Sequence, residues 1–136
     1  MSLFPTPEQM QSLLAAADDQ PVVMVNLLRF KATATAPDEG LSGEDAYRRY
    51  SESMVAFIES RGARILFSGR LQGQVIGEGG DDFHMIALVE YPSRREFFAI
   101  ATDPFVQGIN VHRAAGLEGQ WLLAATTTPE SSAAME

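Results

Sequence analysis

The sequence predicts an α+β fold, in which four antiparallel strands form one sheet and helices cover one of its faces. At 136 residues the chain has about one domain's worth of length, and with 46% hydrophobic residues it can bury a core. After a first helix, the predicted elements follow the order β-α-β-β-α-β, which is the ferredoxin-like pattern. We therefore expect a helical extension over residues 1–20, a ferredoxin-like domain over 21–127 and a flexible tail over 128–136.

The extra N-terminal helix is predicted from its start signals. Thr6 supplies a capping hydroxyl, Pro7 suits the first helical position, and Gln9 stands three residues after the cap. Apolar residues then recur at helical spacing on one face: Met10, Leu13, Leu14 and Ala17. We expect a short helix that docks by this face and ends before Pro21.

The first strand is predicted over residues 22–30, a nearly continuous apolar run rich in β-branched residues. Two polar residues interrupt it. Because side chains alternate along a strand, Asn26 shares a face with Met24 and Leu28, whereas Arg29 lies on the opposite face. If both faces are covered, each of these polar groups needs a partner.

The remaining elements follow from turn and capping signals. Residues 31–41 form a loop long enough to cover a site, and Ser42 caps a long helix that ends near Gly62. A second strand, interrupted by glycines and therefore bulged, is predicted over 63–77, and it pairs as a hairpin with a third strand over 83–91. Ser93 caps the next helix, Asp103 and Pro104 break it, a short helix covers 105–115, and a last strand covers 119–126.

Helices cover only one face of a sheet with this order. The strands nevertheless carry apolar residues on both faces, and a monomer that exposed such a surface would tend to associate. We expect a homodimer that forms through the sheet faces.

Composition argues against several classes of function. There are 18 acidic and 10 basic residues, and the net charge of −8 is unfavourable for binding nucleic acid or an anionic membrane. The absence of cysteine excludes disulfides, thiolate nucleophiles and cysteine-ligated metals. No run approaches the roughly 20 apolar residues of a membrane span, and the first residues lack the pattern of a signal peptide, so we expect a cytoplasmic protein.

Several segments together resemble the domain of unknown function 1330 family. They are the Asn-Leu-Leu-Arg-Phe run at 26–30, Tyr47 and Tyr50, Glu-Tyr-Pro-Ser at 90–93, Asp-Pro-Phe at 103–105, and His-Arg-Ala-Ala at 112–115. The resemblance covers roughly residues 21–126. It implies a dimeric α+β barrel with a cavity in each subunit, but no known activity. The wider superfamily includes cofactor-independent monooxygenases, small lactone isomerases and haem-degrading enzymes. The analogy with these enzymes concerns the fold and not the functional site.

Six polar side chains are candidates for a site in that cavity. Asn26 can orient a carbonyl or enolate oxygen, Arg29 can bind a carboxylate through two hydrogen bonds, and Tyr47 can donate from its phenol. Each also has an ordinary structural interpretation: an amide bonded to backbone, a salt bridge, and a core tyrosine.

Two histidines and a second arginine complete the set. His84, expected on the third strand, and His112 are candidate general acid-base groups, and Arg113 is a candidate anion ligand. Since adjacent helical residues point about 100° apart, we expect only one of His112 and Arg113 to serve the site. The structural alternatives are an exposed histidine at a strand end and a solvated pair at a helix end.

The sequence contains neither metal-ligand spacing nor a phosphate-binding loop, so we predict no metal and no cofactor. The leading hypothesis is a small-molecule-binding protein, with cofactor-independent proton transfer or oxygenation of a carbonyl- or carboxylate-bearing compound as its chemistry. The alternative is a dimeric binding or assembly module without catalysis. Superfamily analogy leaves haem binding at His84 or His112 as a third alternative.

Overall fold

The computed structural model describes residues 3–128. The helices are α1 (Pro7–Ala15), α2 (Gly43–Ser60), α3 (Arg94–Ala101) and α4 (Pro104–Gly116), with one 3₁₀ turn at Gly80–Asp82. The strands are β1 (Val22–Phe30), β2 (Arg64–Arg70), β3 (Met85–Tyr91) and β4 (Leu117–Ala125). The tail predicted over 128–136 lies, from residue 129 onward, outside the described residues.

The four strands form one sheet in the order β2-β3-β1-β4, and every neighbouring pair is antiparallel. β1 and β3 are therefore central, and each connection through α2 or through α3 and α4 crosses over one strand. This arrangement confirms the ferredoxin-like α+β class predicted from the element order.

The helix starts are set by the predicted caps. The Thr6 hydroxyl accepts from the Gln9 amide at 3.1 Å, and the Gln9 side chain accepts from the Thr6 amide at 2.9 Å, which completes a capping box. Ser42 and Ser93 each accept from the amide three residues on, and Asp103 caps α4 with Pro104 at the first helical position.

The prediction was wrong about the extent of the second and third strands. The bulge in β2 is present, between Ile65 and Phe67, but the strand ends at Arg70. Residues 71–79 leave the sheet, and Gly77 and Gly79 both have φ near +89°, a conformation incompatible with an extended strand. β3 begins only at Met85, so His84 precedes the strand instead of lying in it.

The core lies between the sheet and the helices. Along β1, Val22, Met24, Leu28 and Phe30 are buried on the helix side, as period-two alternation predicts. They contribute to two apolar clusters. The larger cluster joins β1 and β3 to Ile58 of α2 and Ile100 of α3, and Leu13 of α1 packs against it.

Helices α2 and α4 approach each other backbone to backbone at two glycines. A Cβ on Gly43 would lie 2.6 Å from the Gly116 carbonyl oxygen and 2.1 Å from the Lys31 carbonyl oxygen. A Cβ on Gly116 would lie 2.3 Å from the Gly43 carbonyl oxygen and 2.8 Å from the Tyr47 amide nitrogen. The Lys31 amide also donates to the Gly116 carbonyl at 2.8 Å. Only residues without a side chain fit at this crossing.

Within residues 3–128, the helices leave the opposite face of the sheet uncovered. One cross-strand row on this open face contains Phe67, Leu88, Val25 and Leu123, and the next contains Ile86, Leu27 and Trp121. Phe67, Trp121 and Leu123 each expose about half of their surface. No helix in residues 3–128 combines the length and the apolar character needed to cross a membrane.

Substitution at the crossing of α2 and α4 tests this packing. Gly43→Ala or Gly116→Ala should lower the free energy of unfolding by about 2–3 kcal/mol, because the added methyl group meets backbone atoms that cannot move aside independently. Chemical denaturation would measure the loss. Gly108→Ala is the matched control, since a Cβ there meets nothing within 4 Å, and alanine should stabilise α4 by about 0.5–1 kcal/mol. Equal effects at Gly108 and Gly116 would contradict the assignment.

Candidate functional site

A polar network lies on the helix side of the sheet, among otherwise apolar residues. Asn26 donates from Nδ2 to the carbonyl oxygens of Met24 and Ala87, at 3.3 Å each. Its Oδ1 accepts from Gln120 Nε2 at 2.9 Å. Gln120 Oε1 in turn accepts from Arg113, at 3.1 Å from Nε and 2.7 Å from Nη2. The network therefore connects β1 and β4 to the guanidinium of α4.

The guanidinium of Arg113 is surrounded by neutral groups. Besides Gln120, its described partners are the carbonyl oxygen of Leu3, which accepts from Nη2, and the ring of Phe4, whose centroid lies 5.1 Å from Cζ. Within residues 3–128 no carboxylate forms an ion pair with Arg113. Burial lowers the pKa of Arg113, and the nearby Tyr50 and Tyr47 phenols raise it in part. The arginine is thus a half-buried cation without a protein counter-charge in the described chain.

Two of the three tyrosines of the chain, Tyr47 and Tyr50, lie near this guanidinium, and Tyr91 lies near both of them. Tyr47 and Tyr50 stand on α2 with ring centroids 5.4 Å apart, and Tyr91 ends β3. Burial raises the pKa of all three phenols, most strongly for Tyr47 and Tyr91, while the positive charge of Arg113 partly offsets the effect at Tyr47 and Tyr50. At neutral pH each phenol therefore keeps its proton and can donate it in a hydrogen bond.

The phenol oxygens have no hydrogen-bond partner within residues 3–128, and none of them is fully sealed from solvent. The same holds for Nη1 of Arg113, because the hydrogen bonds of this side chain use Nε and Nη2. Tyr47, Tyr50 and Arg113, here called the polar cluster, thus offer two neutral donors and part of one guanidinium between the sheet, α2 and α4.

His112 lies outside the polar cluster and belongs to a second group of charged side chains. Its Nδ1 lies 2.7 Å from Oδ2 of Asp38, and Arg49 Nη1 donates to Oδ1 of the same carboxylate at 2.9 Å. The side chain of Asp38 is completely buried, although it belongs to the loop over residues 31–42. These contacts fasten the loop to α2 and α4. They also explain why adjacent His112 and Arg113 serve different places, as the helical geometry predicts.

Arg29 and His84 also lie outside the polar cluster. Arg29, on the open face, pairs with Glu118 at 3.0 Å and donates to the Asp82 carbonyl at 3.1 Å. His84 Nδ1 accepts from the Phe30 amide at 3.0 Å, and its ring stacks on Phe30 with centroids 5.9 Å apart. Because a backbone N–H can only donate, Nδ1 is the acceptor in this bond. The ring thereby holds the end of β1 in place, which is a structural role.

The structure therefore brings together three of the six predicted residues, Asn26, Tyr47 and Arg113, and separates Arg29, His84 and His112 from them. Sequence reasoning missed Gln120, Tyr91 and the residues Leu3 and Phe4. Alternation along β4 could have found Gln120, since it places this amide opposite Leu28 on the helix side. The sequence offered no signal for the contact of Leu3 with a residue 110 positions away.

A separate groove of about 540 Å³ lies under the loop between β2 and β3. Leu27 of the open face, Phe83 and His84 contribute to its lining. Within residues 3–128 no three acidic or histidine side chains cluster closely enough to hold a metal ion.

Comparison with known proteins identifies the fold. The chain resembles the RPA0582 protein of Rhodopseudomonas palustris, a protein of unknown function, with a TM-score of 0.84 and 28% identity over 93% of this chain and 97% of that chain. The methylated form of RPA0582 gives a TM-score of 0.85 and 27% identity over 94% and 96% of the two chains. The sequence matches no family model and no curated protein. The fold thus defines a small α+β protein of the ferredoxin-like class.

The buried phenols make a prediction about alkaline pH. Folding holds the pKa of all three tyrosines above the ordinary value of 10.0, so above pH 10 the unfolded chain loses these protons first. The unfolded state then binds fewer protons than the folded state, and stability falls as the pH rises above 10. Tyrosinate absorbance should therefore appear together with unfolding. A tyrosine that ionised near its ordinary pKa in the folded protein would contradict the burial described above.

Proposed function

We propose that the protein binds a small, partly apolar compound with a carboxylate or enolate oxygen, between the sheet and helices α2 and α4. One observation carries the proposal: the half-buried guanidinium of Arg113 has only neutral partners in the described chain. Removing a cation from water without a counter-charge is unfavourable, and an anionic ligand would supply the missing charge.

The geometry around Arg113 suits such a ligand. Gln120 accepts from two of its nitrogens and is itself held by Asn26, so the guanidinium is oriented before any ligand arrives. Nη1 keeps its donors for the ligand, and hydrogen bonds between a guanidinium and a carboxylate are among the strong ones. In this proposal Asn26 and Gln120 position the arginine, and Arg113 binds the anion.

The phenols extend the site from binding towards chemistry. Tyr47 and Tyr50 remain protonated and lie close enough to Arg113 for its positive charge to lower their pKa in part. Neutral donors beside a cation stabilise an oxygen on which negative charge develops, as in an enolate formed by proton loss next to a carbonyl. Cofactor-independent proton transfer on a carbonyl compound is therefore the reaction class that this site would favour if it is catalytic.

Two substitutions test the anion site. Tyr50→Phe should weaken the binding of small carboxylates several-fold without lowering stability, because its hydroxyl makes no bond within the described chain. Arg113→Met should abolish that binding. Calorimetric titration with acetate, isocaproate and benzoate, and with the corresponding amides, would measure both effects.

Arg95→Met is the matched control, because Arg95 is exposed and lies 3.9 Å from the exposed Asp19. This variant should bind carboxylates as the unaltered protein does. Thermal unfolding of each variant separates lost binding from lost folding. If no carboxylate binds the unaltered protein, or if Arg113→Met folds and binds them equally well, the proposal fails.

We further propose that two copies associate through their open sheet faces. The support is the row of Phe67, Leu88, Val25 and Leu123 across all four strands, in which Phe67 and Leu123 remain half-exposed. A two-fold axis through this face would cover the same apolar surface on both copies. The groove beside Leu27 would then border the partner.

Leu123→Glu tests the dimer. A two-fold interface would receive two unpaired carboxylates, so the dissociation constant should rise by about two orders of magnitude while the protomer keeps its fold. Sedimentation equilibrium would measure it. Val75→Glu, at a loop position that is 94% exposed, should leave the dimer intact. A monomeric unaltered protein would contradict the proposal.

Membership of the domain of unknown function 1330 family and a cytoplasmic location also remain proposals. The first is supported by the segments named above, in particular the Asn-Leu-Leu-Arg-Phe run at 26–30. The second is supported by the cysteine-free composition, which fits a reducing compartment.

A further inference from the structure

The N-terminal segment occupies the proposed anion site. The carbonyl oxygen of Leu3 accepts a hydrogen bond from Arg113, and the ring of Phe4 lies over the same guanidinium. The side chain of Leu3 packs against a cluster of Leu28, Phe30 and Leu117, which Tyr47 also contacts. Leu3 thus places its carbonyl oxygen on Arg113 and its branched aliphatic side chain against the apolar cluster of Leu28, Phe30 and Leu117.

This contact is held by local structure as well as by the site. The capping box of Thr6 fixes the start of α1, and Leu13 anchors that helix to the main core. Residues 3–5 therefore lead from a fixed helix start to Arg113. Leu3 itself is only partly buried, and Phe4 exposes about half of its surface. The segment lies on the site without being sealed into it.

We infer that Leu3 and Phe4 act as an internal ligand, and that the external ligand is a short carboxylate whose apolar group matches the side chain of leucine. The inference rests on the proposed anion site at Arg113 and specifies its ligand class. A carboxylate replaces the Leu3 carbonyl on the guanidinium, since a charged oxygen makes the stronger hydrogen bond. Its branched aliphatic group replaces the Leu3 side chain against Leu28, Phe30 and Leu117.

Competition between segment and ligand sets the apparent affinity. A ligand binds only the fraction of molecules in which the segment has left Arg113, so its measured affinity is reduced by that fraction. Removing the segment should remove this penalty. Only ligands that bind Arg113 more favourably than the Leu3 carbonyl does can then displace the segment.

The probe is isocaproate, which has the carbon skeleton of leucine without the amine. It should bind the unaltered protein more tightly than acetate, which lacks the apolar group, and more tightly than isocaproamide, which lacks the charge. A chain without residues 2–5 should bind isocaproate about tenfold more tightly than the full chain. Calorimetric titration measures all three comparisons.

A full-length variant guards against misfolding of the shortened chain. Leu3→Ala keeps the backbone but exposes the cluster of Leu28, Phe30 and Leu117. Isocaproate should therefore raise the melting temperature of this variant more than that of the unaltered protein. Phe105→Ala is the control, because Phe105 is also a half-exposed aromatic residue, about 12 Å along α4 from Arg113. It should leave the affinity for isocaproate unchanged.

The outcomes separate this inference from the function on which it rests. If carboxylates bind through Arg113 but neither change at the N-terminal segment strengthens isocaproate binding, the internal ligand is disproved and the anion site stands. The stated ligand class fails if benzoate binds through Arg113 and isocaproate does not. If the unaltered protein binds none of these carboxylates, the anion site itself is wrong.

Discussion

Helices α2 and α4 meet at Gly43 and Gly116, where neighbouring backbone atoms leave no room for a side chain. The position of the polar cluster depends on this contact. Tyr47 stands one turn after Gly43, and Arg113 stands one turn before Gly116. The close crossing therefore brings the phenol and the guanidinium to the same place above the sheet. The Lys31 amide, which donates to the Gly116 carbonyl, ties the end of β1 to the same point. Packing that excludes a methyl group thus determines where the charge of Arg113 lies.

The protein retains a cation in that position although no described carboxylate balances it. One side-chain amide, a backbone carbonyl and an aromatic ring contact the guanidinium, but none of them carries a negative charge. By contrast, Arg29, Arg61 and Arg64 each pair with a carboxylate at about 3 Å. In the proposed site, an external anion would supply the counter-charge of Arg113, and the neutral phenols would add hydrogen bonds without occupying the position of the anion.

The sequence predicted what depends on local and periodic signals. These include the caps at Thr6, Ser42 and Ser93, the face that Asn26 shares with Met24 and Leu28, and the order of the elements along the chain. They were within reach because capping distances and alternation are local rules. It did not predict where β2 ends, because two glycines with positive φ leave the sheet in a segment whose composition still suggested a strand. Nor did it separate the roles of Arg113 and Arg29, because Arg29 and its partner Glu118 become neighbours only when β4 pairs with β1.

A crystal structure of the protein grown with isocaproate would test the anion site most directly. We expect a carboxylate on the guanidinium of Arg113, a phenol of Tyr47 or Tyr50 within hydrogen-bond distance of it, and Leu3 displaced from the guanidinium. A structure in which Leu3 keeps its hydrogen bond, the phenols bond to protein atoms and the carboxylate lies elsewhere would contradict the proposal that Arg113 binds an external anion.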